Sequence, residues 1–171
     1  MVDVAEIEMA VLKGYSFTQI RLHWVIAVLI VGQLVFGEEM GEAWEAVEDG
    51  QVPEMGLMVW GHIIAGVAVL ALAVWRLGLR FGRGAPPPPE VGSALAHMAA
   101  HVGHWALYAL MVALPVSGLV AWYGGVEAAA EAHEIMKPVT IILVAVHVVA
   151  ALWHQFYLKD GLLLRMKRPL D

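Results

Sequence analysis

Two histidines, His133 and His147, lie fourteen residues apart, and the second sits inside the apolar run 139–153. In a helix that interval rises by about 21 Å and makes about four turns, so both imidazoles point from one face at two depths. A bilayer core is about 30 Å thick. Imidazole is a good ligand for iron, and an ionisable side chain inside a membrane segment is a functional candidate by default. The spacing favours one haem near each side of a membrane; the alternative is two unrelated histidines, one interfacial and one in a bundle core.

The composition is that of an integral membrane protein. Of the 171 residues, 60% are hydrophobic and 15% are charged, and the mean hydropathy is +0.71. The length predicts a single domain over residues 1–171. The sequence contains no cysteine, which excludes disulfides, thiolate-held iron–sulfur clusters and covalent haem attachment through C-x-x-C-H. Any haem must therefore be held non-covalently.

Four apolar runs approach or exceed the roughly 20 residues that a helix needs to cross a bilayer. We predict membrane helices over approximately residues 17–36, 55–79, 94–122 and 138–158. The predicted fold class is all-α: a transmembrane four-helix bundle with both termini on one side.

The charged residues indicate which side that is. Basic residues flank the end of the second run and fill the tail: Arg76, Arg80, Arg83, Lys159, Arg165, Lys167 and Arg168. The opposite loops, 38–54 and 123–137, are acidic, and Lys137 is their one basic residue. The positive-inside rule puts both termini in the cytoplasm. We therefore expect a multi-pass membrane protein, surrounded by lipid.

Histidine recurs in or beside every run, whereas no aspartate or glutamate lies inside one. This excludes a buried carboxylate pair for hydrolysis or proton relay. A zinc site needs three or four ligands at one depth, and His97, His101 and His104, on one helix face, do not easily surround an ion. A haem needs one or two axial histidines and an apolar slot. A four-helix bundle with histidines at two levels offers two such slots.

Five segments carry a resemblance to a known family. They are QIRLHW (19–24), GHIIAGVAVLALAVWRLGLR (61–80), AHVGHWALYALMVALPVSGL (100–119), HEIMKPVTIILVAVHVVAALWHQFYLKD (133–160) and LLLRM (162–166). In order, spacing and flanks they resemble the prokaryotic cytochrome b561 family, the four-helix di-haem membrane cytochromes, from Thr18 to Arg168. The resemblance implies two haem b groups per chain and a location in the bacterial inner (plasma) membrane.

The resemblance also implies the axial ligands. One comes from the first helix, one from the second and two from the fourth, which correspond to His23, His62, His133 and His147. His23 with His147 would hold the haem nearer the cytoplasm, and His62 with His133 the outer one.

Two observations conflict with this assignment. By depth alone His23 pairs better with His154, which shares a face with His147 and lies nearer Lys159, so His154 is a reserve ligand. In addition, Pro138 disfavours helix at the residue before it. Either the fourth helix starts at Pro138, with His133 on a preceding turn, or the helix is kinked there.

The remaining histidines have several interpretations. His101 and His104 begin the third helix, where they could contact haem propionates or a quinone carbonyl, or simply face water at the interface. His97 is expected to be interfacial. His154, beside Gln155, Tyr157 and Lys159, suits a quinone head-group site.

These observations predict a membrane b-type cytochrome that transfers single electrons across the bilayer, with quinone as one redox partner and no nucleic acid partner. The acidic outer loops favour a basic soluble cytochrome as the periplasmic partner. They oppose superoxide, an anion whose steering needs positive potential. The alternatives are superoxide:ubiquinone oxidoreductase, as in some relatives, and an electron-transfer subunit of a dehydrogenase or hydrogenase. The acidic positions of the first outer loop are Glu38, Glu39, Glu42, Glu45, Glu48, Asp49 and Glu54.

Overall fold

The computed structural model describes residues 14–35, 37–88 and 92–169, and every regular element in these ranges is helical. The helices are α1 (Phe17–Val35), α2 (Glu38–Glu48), α3 (Leu57–Gly82), α4 (Ala94–Gly124) and α5 (Glu127–Trp153), followed by a π-helical turn (His154–Leu158) and a 3-10 helix (Leu162–Met166). Four helices are long and apolar enough to cross a membrane: α1, α3, α4, and α5 with its π-helical turn. The predicted all-α fold with four membrane helices is confirmed. Phe36, the predicted end of the first span, lies outside the described residues.

Local sequence sets where several helices begin and end. At the start of α1 the backbone amide of Gln19 donates to Ser16 Oγ (3.3 Å), and the amide of Ser16 donates to Gln19 Oε1 (3.0 Å). This reciprocal pair is a capping box. Ser93 caps α4 by accepting from the amide of Ala96 at 3.2 Å. Gly125 ends α4 in the left-handed conformation, with φ of 63°, which costs glycine little.

The segment predicted as an acidic outer loop contains a helix instead. α2 covers Glu38–Glu48, and its sequence is rich in the strong helix formers Glu, Ala and Met. Ala43 is buried, and the Trp44 ring centre lies 6.4 Å from that of Trp122 on α4. An apolar face packed on the bundle therefore stabilises α2, while the side chains of Glu39, Glu42, Glu45 and Glu48 are exposed.

The fourth membrane helix begins well before its predicted start at residue 138. α5 is continuous from Glu127 to Trp153 and contains Pro138. Proline removes one backbone donor, here the one that would bond the carbonyl of Glu134, and membrane helices tolerate that loss when neighbouring helices support them. His133 and His147 consequently lie on one helix.

Long-range hydrogen bonds bring three parts of the chain to one end of the bundle: α1, the segment after α3, and the tail. Gln19 Nε2 donates to the carbonyl of Gly84 (3.1 Å), Trp24 Nε1 to that of Met166 (2.7 Å), and Arg165 Nη1 to that of Pro87 (2.7 Å). We call this end, with the arginines and lysines of α3 and the tail, the basic end. The opposite end, with α2 and the first turns of α5, is the acidic end.

Candidate haem-binding cavity

A cavity of about 1660 Å³ runs along the bundle interior. Tyr15 and Met166 line it at the basic end, and Trp44 and Glu131 line it at the acidic end. Ordinary ligand pockets measure roughly 300–1,000 Å³. The cavity therefore has room for more than one large ligand. Five histidines line it: His23, His62, His104, His133 and His147.

Four of these histidines form two pairs across the cavity. The ring centres of His23 on α1 and His147 on α5 are 6.1 Å apart. Those of His62 on α3 and His133 on α5 are 6.2 Å apart. An imidazole nitrogen binds a metal ion at about 2 Å and the ring centre lies roughly 1 Å beyond it, so two axial imidazoles have ring centres about 6 Å apart. Both pairs therefore fit the spacing that a bis-histidine haem requires.

The His133 ring is fixed by α4. Its Nδ1 lies 2.9 Å from the carbonyl oxygen of Leu114 and 3.2 Å from Ser117 Oγ. A carbonyl oxygen can only accept, so Nδ1 carries the proton and Nε2 keeps the lone pair that a metal needs. A Cβ at Gly118 would lie 3.2 Å from Cε1 and 3.3 Å from Nδ1 of this ring. Glycine at this position allows the close approach of His133 to α4.

His62 has a different environment. Its backbone carbonyl accepts from Gln33 Nε2 at 2.9 Å. Its ring Nδ1 is buried and has no hydrogen-bond partner among the described residues. A Cβ at Gly66, one turn further along α3, would lie 3.3 Å from Gln33 Nε2. The amide of Gln33 therefore joins α1 to α3 beside the His62–His133 pair.

Residues 14–169 match the family described as prokaryotic cytochrome b561. The chain belongs to this family. The resemblance noted in the sequence is thereby confirmed, and with it a membrane b-type cytochrome of the bacterial inner membrane that functions in electron transfer; membership of this family implies haem b as the cofactor.

Three relatives match along most of their length. "Cytochrome b562" from Cereibacter sphaeroides is 41% identical over 156 residues, covering 91% of this chain and 96% of the relative. "Probable superoxide oxidase CybB" from Yersinia pestis is 28% identical over 178 residues, covering 90% and 96%. "Cytochrome b561 homolog 2" from Escherichia coli K12 is 26% identical over 181 residues, covering 90% and 91%.

In this member of the cytochrome b561 family, two arginines of α3 line the cavity at the basic end. Arg76 Nε donates to the hydroxyl of Tyr108 at 3.1 Å, and Nη1 donates to the carbonyl of Gln19. The Arg80 guanidinium carbon lies 5.4 Å from the Trp105 ring centre. Among the described residues neither arginine is paired with a carboxylate. In the sequence these two residues indicated only the topology, although Arg76 lies inside the run 55–79 and an arginine within a membrane segment is itself a functional candidate.

The structure separates the three histidines at the start of α4. The His104 ring centre lies 5.5 Å from that of His147, and His104 lines the cavity. His101 is exposed, with its ring centre 6.3 Å from that of Trp105, and is not among the described residues lining the cavity. His97 packs against Gly92, and its buried Nε2 has no partner in the described part of the chain. His104 alone of the three lies next to the His23–His147 pair.

His154, the first residue of the π-helical turn, is hydrogen-bonded to Asp160. Its Nδ1 donates to Asp160 Oδ2 at 2.5 Å, and Asp160 Oδ1 accepts from the amide of Leu162 at 3.0 Å. Burial alone would raise the pKa of Asp160, but the hydrogen bonds from His154 and Leu162 lower it below its ordinary value. The carboxylate is therefore ionised at neutral pH and joins the π-helical turn to the 3-10 helix.

Proposed function

We propose that this cytochrome holds two haem b groups at two levels, one between His23 and His147 and one between His62 and His133, and conveys single electrons between the two ends of the bundle. The observation that supports this most directly is the pair of ring-centre distances, 6.1 and 6.2 Å, within one cavity. When bound, each haem supplies an iron that takes up and releases one electron.

The protein would orient the haem ligands and compensate the negative charge of the haem propionates. Leu114 and Ser117 hold His133 with Nε2 toward the cavity, so its ligand geometry does not depend on haem. Arg76 and Arg80 supply positive charge and hydrogen-bond donors at the basic end, and His104 lies beside them, so this end suits the carboxylates of haem propionates. The apolar remainder of the lining excludes water, which affects the potential of a buried metal group.

Haem content tests this proposal. Extraction of the purified protein in acidified solvent should release two haem b groups per chain, because no cysteine can tether them. A stoichiometry of one would contradict the pairing. The choice between His147 and His154 is tested by substituting each with alanine: we expect haem loss from His147→Ala only, and haem loss from His154→Ala alone would reverse the assignment.

We assign the basic end to the cytoplasm by the positive-inside rule and place a quinone site there, beside His154. Because Nδ1 of His154 donates to Asp160, Nε2 carries the lone pair and is free to accept a hydrogen bond. Asp160 fixes this orientation of the ring, so Nε2 would accept from the hydroxyl that forms when the quinone is reduced.

This placement predicts that His154→Ala slows the reoxidation of reduced haem by a quinone analogue while the haem spectrum stays intact. Asp160→Asn should slow it less, since the imidazole remains. His97→Ala, at the same end of the bundle, is the matched control and should leave the rate unchanged. Equal rates in wild type and His154→Ala would remove His154 from the site.

At the acidic end we propose a basic soluble electron carrier, such as a small cytochrome c, as the second partner. Four glutamates and one lysine line this mouth of the cavity: Glu45 and Glu48 of α2, with Glu131, Glu134 and Lys137 of α5. Lys137 is itself ion-paired with Glu134 at 2.6 Å. The resulting negative potential attracts a basic protein and repels an anion.

Superoxide oxidation is the second candidate function, and the Yersinia pestis relative of that name favours it. A role as the electron-transfer subunit of a dehydrogenase or hydrogenase is the third. Stopped-flow haem absorbance distinguishes the first two: we expect fast electron exchange with a basic cytochrome at low salt and slow reduction by superoxide. Reduction by superoxide near the diffusion limit, with no response to basic cytochromes, would establish superoxide oxidation instead.

A further inference from the structure

A second cavity, of about 440 Å³, opens on the outside of the bundle where α5 and its π-helical turn end. Its lining combines amide, ammonium and apolar groups: Gln155, Phe156, Lys159, Gly161, Leu164 and Lys167. None of these residues lines the large cavity. The cavity is therefore separate from the histidine pairs.

The position of this cavity corresponds to a membrane surface. The candidate membrane span ends at Leu158, immediately before Lys159. The rings of Trp153 and Tyr157 are stacked, with centres 4.1 Å apart, and both are exposed, as is typical of aromatic residues at the lipid–water boundary. Phe156 is 71% exposed and Leu164 45% exposed, so apolar surface adjoins the two ammonium groups.

The two lysines have no carboxylate partner within the described residues. Asp160, the acidic residue next to Lys159, has a side chain only 4% exposed and bonds His154 and Leu162 instead. Its charge is therefore directed away from the cavity. Lys159 and Lys167 leave this surface with unbalanced positive charge.

The backbone at Lys159 adds an independent observation. Lys159 has φ of 54°, and it is the one non-glycine residue with positive φ among those the structure describes. A side chain disfavours this conformation, so surrounding structure must hold it. Here the hydrogen bonds of Asp160 hold it, and the turn places Lys159 over the same cavity as Lys167.

We propose that this cavity binds a phosphate group, and specifically the head group of an anionic phospholipid. Ammonium groups bind phosphate as point charges, and basic pockets at the ends of membrane helices are known to take acidic lipid head groups. Phe156 and Leu164 provide apolar surface for the attached acyl chains. The site does not depend on the proposed haem or quinone assignments.

The test uses haem-loaded protein in detergent, with thermal unfolding measured after adding phosphatidylglycerol or phosphatidylcholine. Phosphatidylglycerol should raise the unfolding temperature of wild type more than phosphatidylcholine does. Each lysine near an anionic lipid contributes about a 5-fold gain in affinity, so losing both should raise the half-saturating phosphatidylglycerol concentration by about 25-fold.

Two variants separate lipid binding from folding. Lys159→Gly should fold at least as stably as wild type in detergent alone, because glycine accepts positive φ, yet it should bind phosphatidylglycerol more weakly. The double variant Lys159→Gly, Lys167→Gln should respond equally to phosphatidylglycerol and phosphatidylcholine. Arg168→Gln removes a neighbouring charge outside the cavity lining and should keep the wild-type preference. An unchanged preference in the double variant would overturn the proposal. A shift of equal size from inorganic phosphate alone would also overturn it, because the site would then not recognise a lipid.

Discussion

The two ends of the large cavity hold imidazole pairs at nearly the same separation but in opposite surroundings. At the acidic end, neutral groups of α4, the Leu114 carbonyl and the Ser117 hydroxyl, hold His133. At the basic end, the His23–His147 pair shares the cavity with Arg76, Arg80 and His104. Equal spacing of the histidine pairs with unequal charge around them means that the fold would distinguish the two proposed haems electrostatically. Because nearby cations favour a reduced haem, we expect the basic-end haem to have the higher potential.

The largest expected difference between the ends comes from removing one ligand at a time. His62→Ala should lose the acidic-end haem and retain the other, and His23→Ala should do the reverse, since α5 holds the two levels about 21 Å apart. Haem content per chain and low-temperature absorbance spectra measure the outcome. Loss of both haems from either variant would mean that the two sites do not form independently.

The close approach of His133 to α4 predicts a second effect, specific to the acidic end. Gly118→Ala places a methyl group 3.2 Å from the ring and should displace His133, weakening haem binding there by about 10–100-fold, as when outer-shell partners of a metal ligand are lost. Gly103→Ala on the same helix has no neighbour within 4 Å and is the control. Normal haem content and potential in Gly118→Ala would contradict the role assigned to this contact.

Charge at the basic end predicts a third, smaller effect. Arg76→Met should lower the midpoint potential of the basic-end haem by about 50–100 mV, equivalent to roughly 1–2 kcal/mol, and leave the other haem unchanged. Arg76→Lys keeps the charge and should recover most of the shift. A redox titration with spectral separation of the two haems measures it, and equal shifts at both haems would argue for a general structural effect.

The smallest effect concerns the outer surface. Reversing Glu42, Glu45 and Glu48 to lysine should slow electron transfer with a basic cytochrome by about 10-fold at low salt, if these exposed residues face the partner. The wild-type rate should itself fall as salt rises, because charges are screened beyond about 10 Å at 0.1 M. The same variant should react faster with superoxide. A rate with the basic cytochrome that ignores both salt and charge reversal would exclude docking on α2.

Much of this arrangement follows from local sequence. Apolar runs of membrane length predict the four spans, and histidines in those runs together with the family resemblance predict a haem protein. Arginine and lysine at one end predict the charge asymmetry. The spans, the histidines within them and the charge asymmetry can be read from composition and from the order of neighbouring residues along the chain. The prediction of a loop at the start of residues 38–54 was wrong because packing of Ala43 and Trp44 on the bundle stabilises the helix α2. The sequence of that segment alone does not reveal this contact.

Only the tertiary structure decided which side chains meet across helices. Position along α5 left both His147 and His154 open as partners of His23. Helix rotation and packing place the ring centres of His23 and His147 6.1 Å apart and turn His154 toward Asp160. The contacts of His133 with Leu114 and of Arg76 with Tyr108 likewise join helices whose mutual rotation is set by many distributed side-chain contacts. The sequence by itself therefore determined which residue types enter the membrane, and packing determined which of them face one another.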